Sequence, residues 1–257
     1  MKTKNTKSAT ENSSVDAQEI ERFSRIADEW WDVNGKFAPL HSMNPVRIEY
    51  IKDTIIKHFV AMDSLSLLDI GCGGGLIAEP MARLGAKVTA IDASEKNIKV
   101  AGLHAEKMGL DIDYRCTTAE DLATSGASFD VVLSLEIVEH VADIDLFIKS
   151  ACKLLKPGGI IILSTLNRTI KSYGLAIIGA EYIMRLLPIG THTWNKFLRP
   201  SEMCRILEQN DIEIDELMGM VMNPISWKWR LDSKDLAVNY LVVGKLSSRA
   251  TTRDPET

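Results

Sequence analysis

Apolar residues recur at positions 20, 23, 27, 30 and 31, one face of a helix, and predict a helix over Ile20–Trp31. The next stretch, "NGKFAPLHSMNPVR", is punctuated by Gly and Pro and reads as a loop, with a second helix near Val46–Phe59. From Leu65 the pattern changes to short β-rich runs alternating with helical spacing. The strands are "LSLLDIG", "KVTAIDA", "DIDYRC", "FDVVLSLE" and "IIILSTLN". Between them lie "GGLIAEPMARLGA", closed by Gly85, "SEKNIKVAGLHAEKMGL", which Ser94 can cap, and "DIDLFIKSACKLL", ending at "KPGG". A helix over Pro200–Gln209 and two further strands, "IEIDELMGMV" and "NYLVVGKL", complete the series. Strand–helix alternation of this length implies right-handed βαβ units. The expected fold is a doubly wound α/β domain on a mostly parallel seven-stranded sheet, with N-terminal helices. Residues 19–246 should form this domain, with an insert at about 167–198 after strand five and polar tails at 1–18 and 247–257.

Bulk properties narrow the function classes. Hydrophobic residues make up 46% and charged residues 25% of the 257 positions, as in an ordinary soluble globular protein. A formal net charge of -5 gives no electrostatic reason to expect nucleic-acid binding. Cys72, Cys116, Cys152 and Cys204 include no CxxC pair, which argues against a disulfide scaffold or structural zinc and suits a reducing compartment. The first eighteen residues lack the apolar core of a secretion signal.

Chemistry enters at the first strand–helix junction, "LLDIGCGGGLIAE". Gly71, Gly73, Gly74 and Gly75 allow a sharp turn and close ligand approach at a helix start. Asp92 ends the second strand, where an acid accepts hydrogen bonds from ribose hydroxyls in such folds. An adenosine ligand is expected. The dinucleotide fingerprint requires a small third residue, and Leu76 stands in that place, which disfavours a nicotinamide oxidoreductase. No GK[ST] phosphate loop is present either. With Asp69 ahead of the glycines, "DIGCGGG" resembles the first motif of the Rossmann-like S-adenosylmethionine-dependent methyltransferases. The stretches "TAEDL", "FDVVLSLE" and "LLKPGG" extend the resemblance. It implies S-adenosylmethionine as cofactor, with Glu120 or Asp121 near the adenine; surface charge is the alternative for those two acids.

Strand four ends in "LEIVEH", which puts Glu136, Glu139 and His140 at the carboxyl edge where ligands sit. In a helical turn their spacing would bring the three to one side. They could bind a divalent ion such as Mg²⁺, or make His140 a general base oriented by a glutamate. Either would help form a phenolate from a phenol with a pKa of about 10. His140 as a helix cap or backbone partner is the plainer alternative.

The segment after strand five is apolar over Tyr173–Ile189, yet Glu181 and Arg185 interrupt it, and it is short and charged for a bilayer span. Between Thr165 and Arg205 six Arg or Lys face two Glu, so this insert reads as a membrane-surface element or as a lid over the site. "STLNR", "KSYGLAIIGAEYIMRLLPIGTHTW" and "KFLRPSEM", with "EWWDVNGKFAPLHSMNPVR" upstream, are similar to the bacterial ubiquinone biosynthesis O-methyltransferase family over roughly Gln18–Gly244. The resemblance implies methylation of a polyprenyl phenol and of 3-demethylubiquinol. It further implies cytoplasmic residence at the inner membrane through about 170–189, and a place in a ubiquinone-biosynthesis complex. It assigns Arg47, Gly71, Gly73, Asp92, Glu120 and Leu135 to the cofactor, and Glu136, Glu139 and His140 to catalysis or Mg²⁺. Trp30 and Trp31 of "EWWD" read first as packing residues. A non-enzymatic scaffold that binds the cofactor is the contrasting reading.

Overall fold

The computed structural model describes residues 13–174, 194–223 and 226–247. Its sheet runs β3 (Asp113–Cys116), β2 (Lys87–Asp92), β1 (Ser66–Ile70), β4 (Phe129–Leu135), β5 (Leu155–Leu166), β8 (Asn239–Leu246), β6 (Ile212–Met222), β7 (Trp229–Asp232). The first five are mutually parallel, and the last three add antiparallel neighbours. The α/β class is as expected, but among the described residues the sheet has eight strands rather than seven. The addition is β7, too short to carry a periodic signal.

β1, β4 and the Ile160–Leu166 part of β5 are covered on both faces and mostly apolar, as buried parallel strands require. One face packs on α5 (Ala119–Thr124), α6 (Ile144–Lys153) and α8 (Pro200–Gln209); the other packs on α2 (Ala38–Phe59) and α3 (Ala78–Arg83). Ser94, Thr118 and Asp143 each accept a backbone N–H at a helix start, Ser94 opening α4 (Glu95–Lys107). β2 leads away from β1 on one side and β4 lies on the other, so the order reverses between β1 and β4 and opens a crevice at their carboxyl ends.

Two N-terminal expectations are corrected. α1 spans Ala17–Arg25 and gives way to a 3-10 turn at Ala27–Glu29, so Trp30 and Trp31 lie beyond the helix. The stretch expected as a loop is largely helix, because α2 begins at Ala38 and runs through Pro45. Pro39 sits in the first turn, where its missing N–H costs nothing. Pro45 gives up one helical bond, and burial of Met43, Arg47, Tyr50 and Ile51 on either side offsets that loss.

The packed chain also starts before the expected boundary at residue 19. Ser14 is buried, donates its N–H to Glu120 Oε1 at 3.3 Å and accepts the Ala142 N–H at 2.7 Å. Of the insert, the one-turn α7 (Ile170–Ser172) and the 3-10 turn Trp194–Lys196 are described. The apolar run at 175–189, with Glu181 and Arg185, lies outside the described residues.

Candidate active site

A cleft of about 910 Å³ follows the carboxyl edge of the sheet, lined by Gly71, Gly73, Asp92, Glu120, Leu135, Glu136, Glu139 and His140. Most of the expected site residues therefore meet in one place. Gly71 (φ 75°) and Gly73 (φ 53°) adopt left-handed backbone, where a side chain is strained. The Gly71 N–H bonds Ile91 O at 2.8 Å, and an added Cβ would fall 2.3 Å from Ile137 Cδ1. At Gly73 and Gly74 the space is taken by the chain itself. Added Cβ atoms would come within 2.4 Å of the Trp30 side chain in both cases.

Trp30 is thus a plug on the glycine loop. It stacks on Phe37 with ring centroids 3.6 Å apart and donates Nε1–H to Asn97 Oδ1 at 3.0 Å. Asn97 Nδ2 in turn donates to Asp92 Oδ1 at 3.2 Å, and Asp92 also accepts N–H bonds from Ser94 (2.8 Å) and Gly73 (3.0 Å). Burial raises the Asp92 carboxyl above its ordinary value, while these donors pull it back. Three donors leave acceptor capacity on a carboxylate with about four lone-pair positions, which suits ribose hydroxyls. Trp31 Nε1–H bonds Gly74 O at 2.9 Å, and its ring stacks on His104, so both tryptophans hold the loop. Neither Trp30's nor Asn97's part in this relay was expected from the sequence, because the partners are brought together by folding alone.

Glu120 is buried in the cleft, whereas Asp121 is exposed. Arg47 is 3% exposed, and its Nε and Nη2 donate to Asn44 Oδ1. Its Nη1 stands 3.6 Å from Glu136 Oε1, too long for a hydrogen bond. Among the described residues that buried N–H has no hydrogen-bond partner, and Asp69 Oδ2 beside it has none either. An unsatisfied guanidinium N–H is costly and fits an anionic group such as the carboxylate of a methionyl tail. Burial, partly countered by Arg47, pushes the Asp69 carboxyl up to about 7.

Glu136 has left-handed backbone (φ 58°), a strain of roughly 1–2 kcal/mol for a residue with a side chain. Ser164 holds it there, its carbonyl accepting the Glu136 N–H at 3.0 Å and its hydroxyl donating to Oε1 at 2.8 Å. Glu139 is buried and accepts Thr165 Oγ1–H at 2.8 Å, and among the described residues its second oxygen has no hydrogen-bond partner. Burial first, then the neighbouring Glu136, pushes its carboxyl up to about 8.

His140 does not join this pair. Its Nδ1 lies 3.1 Å from Glu19 Oε2 and 3.4 Å from Arg22 Nη2, both on α1, and its ring meets the edge of Phe23. The Glu136–Glu139–His140 metal cradle expected from spacing is therefore not formed. Arg47 already faces the glutamates, and among the described residues no group of three His, Cys, Asp or Glu is placed to hold an ion. The turn after β4 directs His140 toward α1. There it fastens the N-terminal segment across the cleft, with Lys196–Asp16 (3.0 Å) as a second tie.

Residues 68–163 match the family model described as "Methyltransferase domain". The "Ubiquinone biosynthesis O-methyltransferase" of Brucella anthropi is 52% identical over 243 residues, 92% of this chain and 98% of that protein. The protein of the same name from Cereibacter sphaeroides strain ATCC 17025 is 52% identical over 89% of this chain and 96% of that one. The chain belongs to the ubiquinone biosynthesis O-methyltransferase family. As a member of that family it is an S-adenosylmethionine-dependent methyltransferase. The fold is also that of magnesium protoporphyrin IX methyltransferase from Synechocystis PCC 6803, solved with bound SAH (TM-score 0.65, 20% identity, 90% of this chain and 95% of that one). A possible histamine N-methyltransferase from Thermotoga maritima gives a TM-score of 0.63 at 19% identity, over 90% of this chain and 99% of that one. In this ubiquinone biosynthesis O-methyltransferase family member, no described helix is long and apolar enough to cross a membrane.

Proposed function

We propose that this chain methylates a ring hydroxyl of 2-polyprenyl-6-hydroxyphenol and of 3-demethylubiquinol, with the Glu136–Glu139 pair as proton acceptor. The observation that carries the reading is a carboxylate pair, one member buried and under-satisfied, in the same cleft as Asp92 and the glycine loop. S-adenosylmethionine supplies an electrophilic methyl carbon on a positively charged sulfur. Asp92 takes the ribose hydroxyls, Glu120 and Leu135 flank the adenosyl part, Gly71 and Gly73 give the backbone approach, and Arg47 receives the methionyl carboxylate. A phenol of pKa about 10 is a weak nucleophile at neutral pH, so a base must draw its proton as the new oxygen–carbon bond forms. Burial raises the Glu139 carboxyl, so in its ionised form it is a stronger base than a surface carboxylate, and a negative charge there complements a cationic donor. No step requires a divalent ion. A polyprenyl substrate dissolves in lipid, and Ile170 and Tyr173 are exposed at the start of the insert, which supports peripheral contact with the inner membrane from the cytoplasm. The same insolubility favours handing the substrate between enzymes of a biosynthetic complex.

The test is transfer of label from methyl-labelled S-adenosylmethionine to a short-prenyl demethylubiquinol. Wild type should label the quinol, while Glu136→Gln and Glu139→Gln lose kcat with little change in cofactor Kd. Full activity in both variants would remove the pair from the chemistry. A second reading takes its support from Glu19, whose carboxylate orients His140 as in a carboxylate–imidazole dyad. It makes His140 the base, and it predicts that His140→Ala loses kcat while the two glutamine variants keep it.

A further inference from the structure

The cleft does not end at the reacting carboxylates. Beyond β4 and β5 it continues past Leu166 and Asn239 to the end of β6 and the start of β7. Because β8 runs antiparallel to β5 and β6 antiparallel to β8, Leu166 pairs with Asn239 and Asn239 with Met220. The end of β6 therefore returns to the same carboxyl edge as Glu136. The hairpin pairs Met222 with Trp229, and both line the cleft with Met220, Val221 and Trp227. Four strand spacings separate β4 from β7, a reach of roughly 19 Å along the edge. Trp227 is 48% exposed at the far end, so the wall opens to the outside. The cofactor half of the cleft also holds an indole, Trp30, but there it is packed on the glycine loop and bonded to Asn97. The polar groups of that half sit at Asp92, Ser94, Asn97 and Glu120. The catalytic glutamates stand between the two halves.

We propose that the β6–β7 hairpin, through Met220, Met222, Trp227 and Trp229, is the binding wall for the substrate's isoprenoid tail and sets the preference for prenylated over headgroup-only acceptors. This rests on the quinol reading given above. The argument for a linear apolar occupant is continuity. The wall is joined to the methyl-transfer centre by one cleft, so a tail carried on the ring being methylated has room to lie along it. Thioether and indole side chains are adaptable and broad, which suits a flexible branched chain better than a shape-specific ligand.

The experiment compares kcat/KM for a farnesylated demethylubiquinol in detergent micelles with that for the same ring lacking its prenyl chain. Trp229→Ala and Met222→Ala should each reduce the prenylated-to-unprenylated ratio, by roughly tenfold or more for the tryptophan, through KM for the prenylated quinol. Farnesol, which lacks the ring, should compete against the farnesylated quinol in wild type and much less in Trp229→Leu, a milder change that preserves the hairpin. An unchanged ratio in both alanine variants, with wild type active on the farnesylated quinol, would overturn the wall and leave the quinol reading intact. A wild-type enzyme inactive on the farnesylated quinol would overturn both.

Discussion

Trp30 offers the sharpest test of how the N-terminal segment reaches the cofactor site. Trp30→Phe keeps an aromatic ring against Phe37 and over Gly73 and Gly74, but deletes the 3.0 Å bond to Asn97 Oδ1. That acceptor is buried, and leaving it unpaired costs about 1–3 kcal/mol. For a domain of this size such a loss lowers Tm by about 2–10 °C. Asn97 also donates to Asp92, so a loosened Asn97 should weaken ribose recognition. We expect the Kd for S-adenosylhomocysteine to rise roughly fivefold, equivalent to about 1 kcal/mol. Urea denaturation and titration calorimetry on wild type, Trp30→Phe, Asn97→Ala and the double variant close the cycle. The double variant should cost less than the sum of the singles by roughly 0.5 kcal/mol or more. Full additivity in stability, together with an unchanged Kd in Trp30→Phe, would refute the relay from Trp30 through Asn97 to Asp92.

Gly71→Ala should abolish S-adenosylhomocysteine binding in calorimetry, since its Cβ would meet Ile137 at 2.3 Å on a left-handed backbone; binding within threefold of wild type, that is within about 0.7 kcal/mol, would contradict this. Burial and the neighbouring Glu136 push the Glu139 carboxyl up to about 8, against an ordinary value of 4.5, so the folded state binds the proton more tightly than the unfolded chain. Its contribution is complete below pH 4.5 and fades as pH rises toward 8. The Tm of Glu139→Gln should therefore decline less than wild type between pH 5 and pH 8, by an amount on the order of a few kcal/mol at most in stability. Asp69, pushed up to about 7, retains part of the slope in the variant. EDTA should leave initial rates unchanged, because His140 faces Glu19 and Arg47 faces Glu136; a loss restored by Mg²⁺ would reinstate a metal.

The central parallel strands β1 and β4 were legible because they are apolar and buried on both faces, and α4 because Ser94 caps it, both local signals. The glycine loop and Asp92 were legible for the same reason. The start of α2 was not, because Pro39 and Pro45 look like breaks unless the burial around them is known. β7 escaped because four residues, "WRLD", define no period, and its partner β6 supplies the register. His140 lines the cleft, yet its ring nitrogen meets Glu19 and Arg22, whereas spacing alone would set it beside the glutamates. Its partner Glu19 lies 121 residues earlier in the chain, and no spacing rule reaches that far.

The place of β8 has a consequence for how this chain is made. The last strand among the described residues, Asn239–Leu246, lies between β5 and β6 in the middle of the antiparallel half. A nascent chain still short of Asn239 has a bare edge on β5, almost wholly apolar from Gly159 to Leu166, and a β6–β7 hairpin with no sheet to join. Synthesis must therefore run through β8 before either surface is covered. A stop before Asn239 would release a chain with an open, self-adhesive strand edge, a far graver defect than loss of a polar segment beyond Leu246.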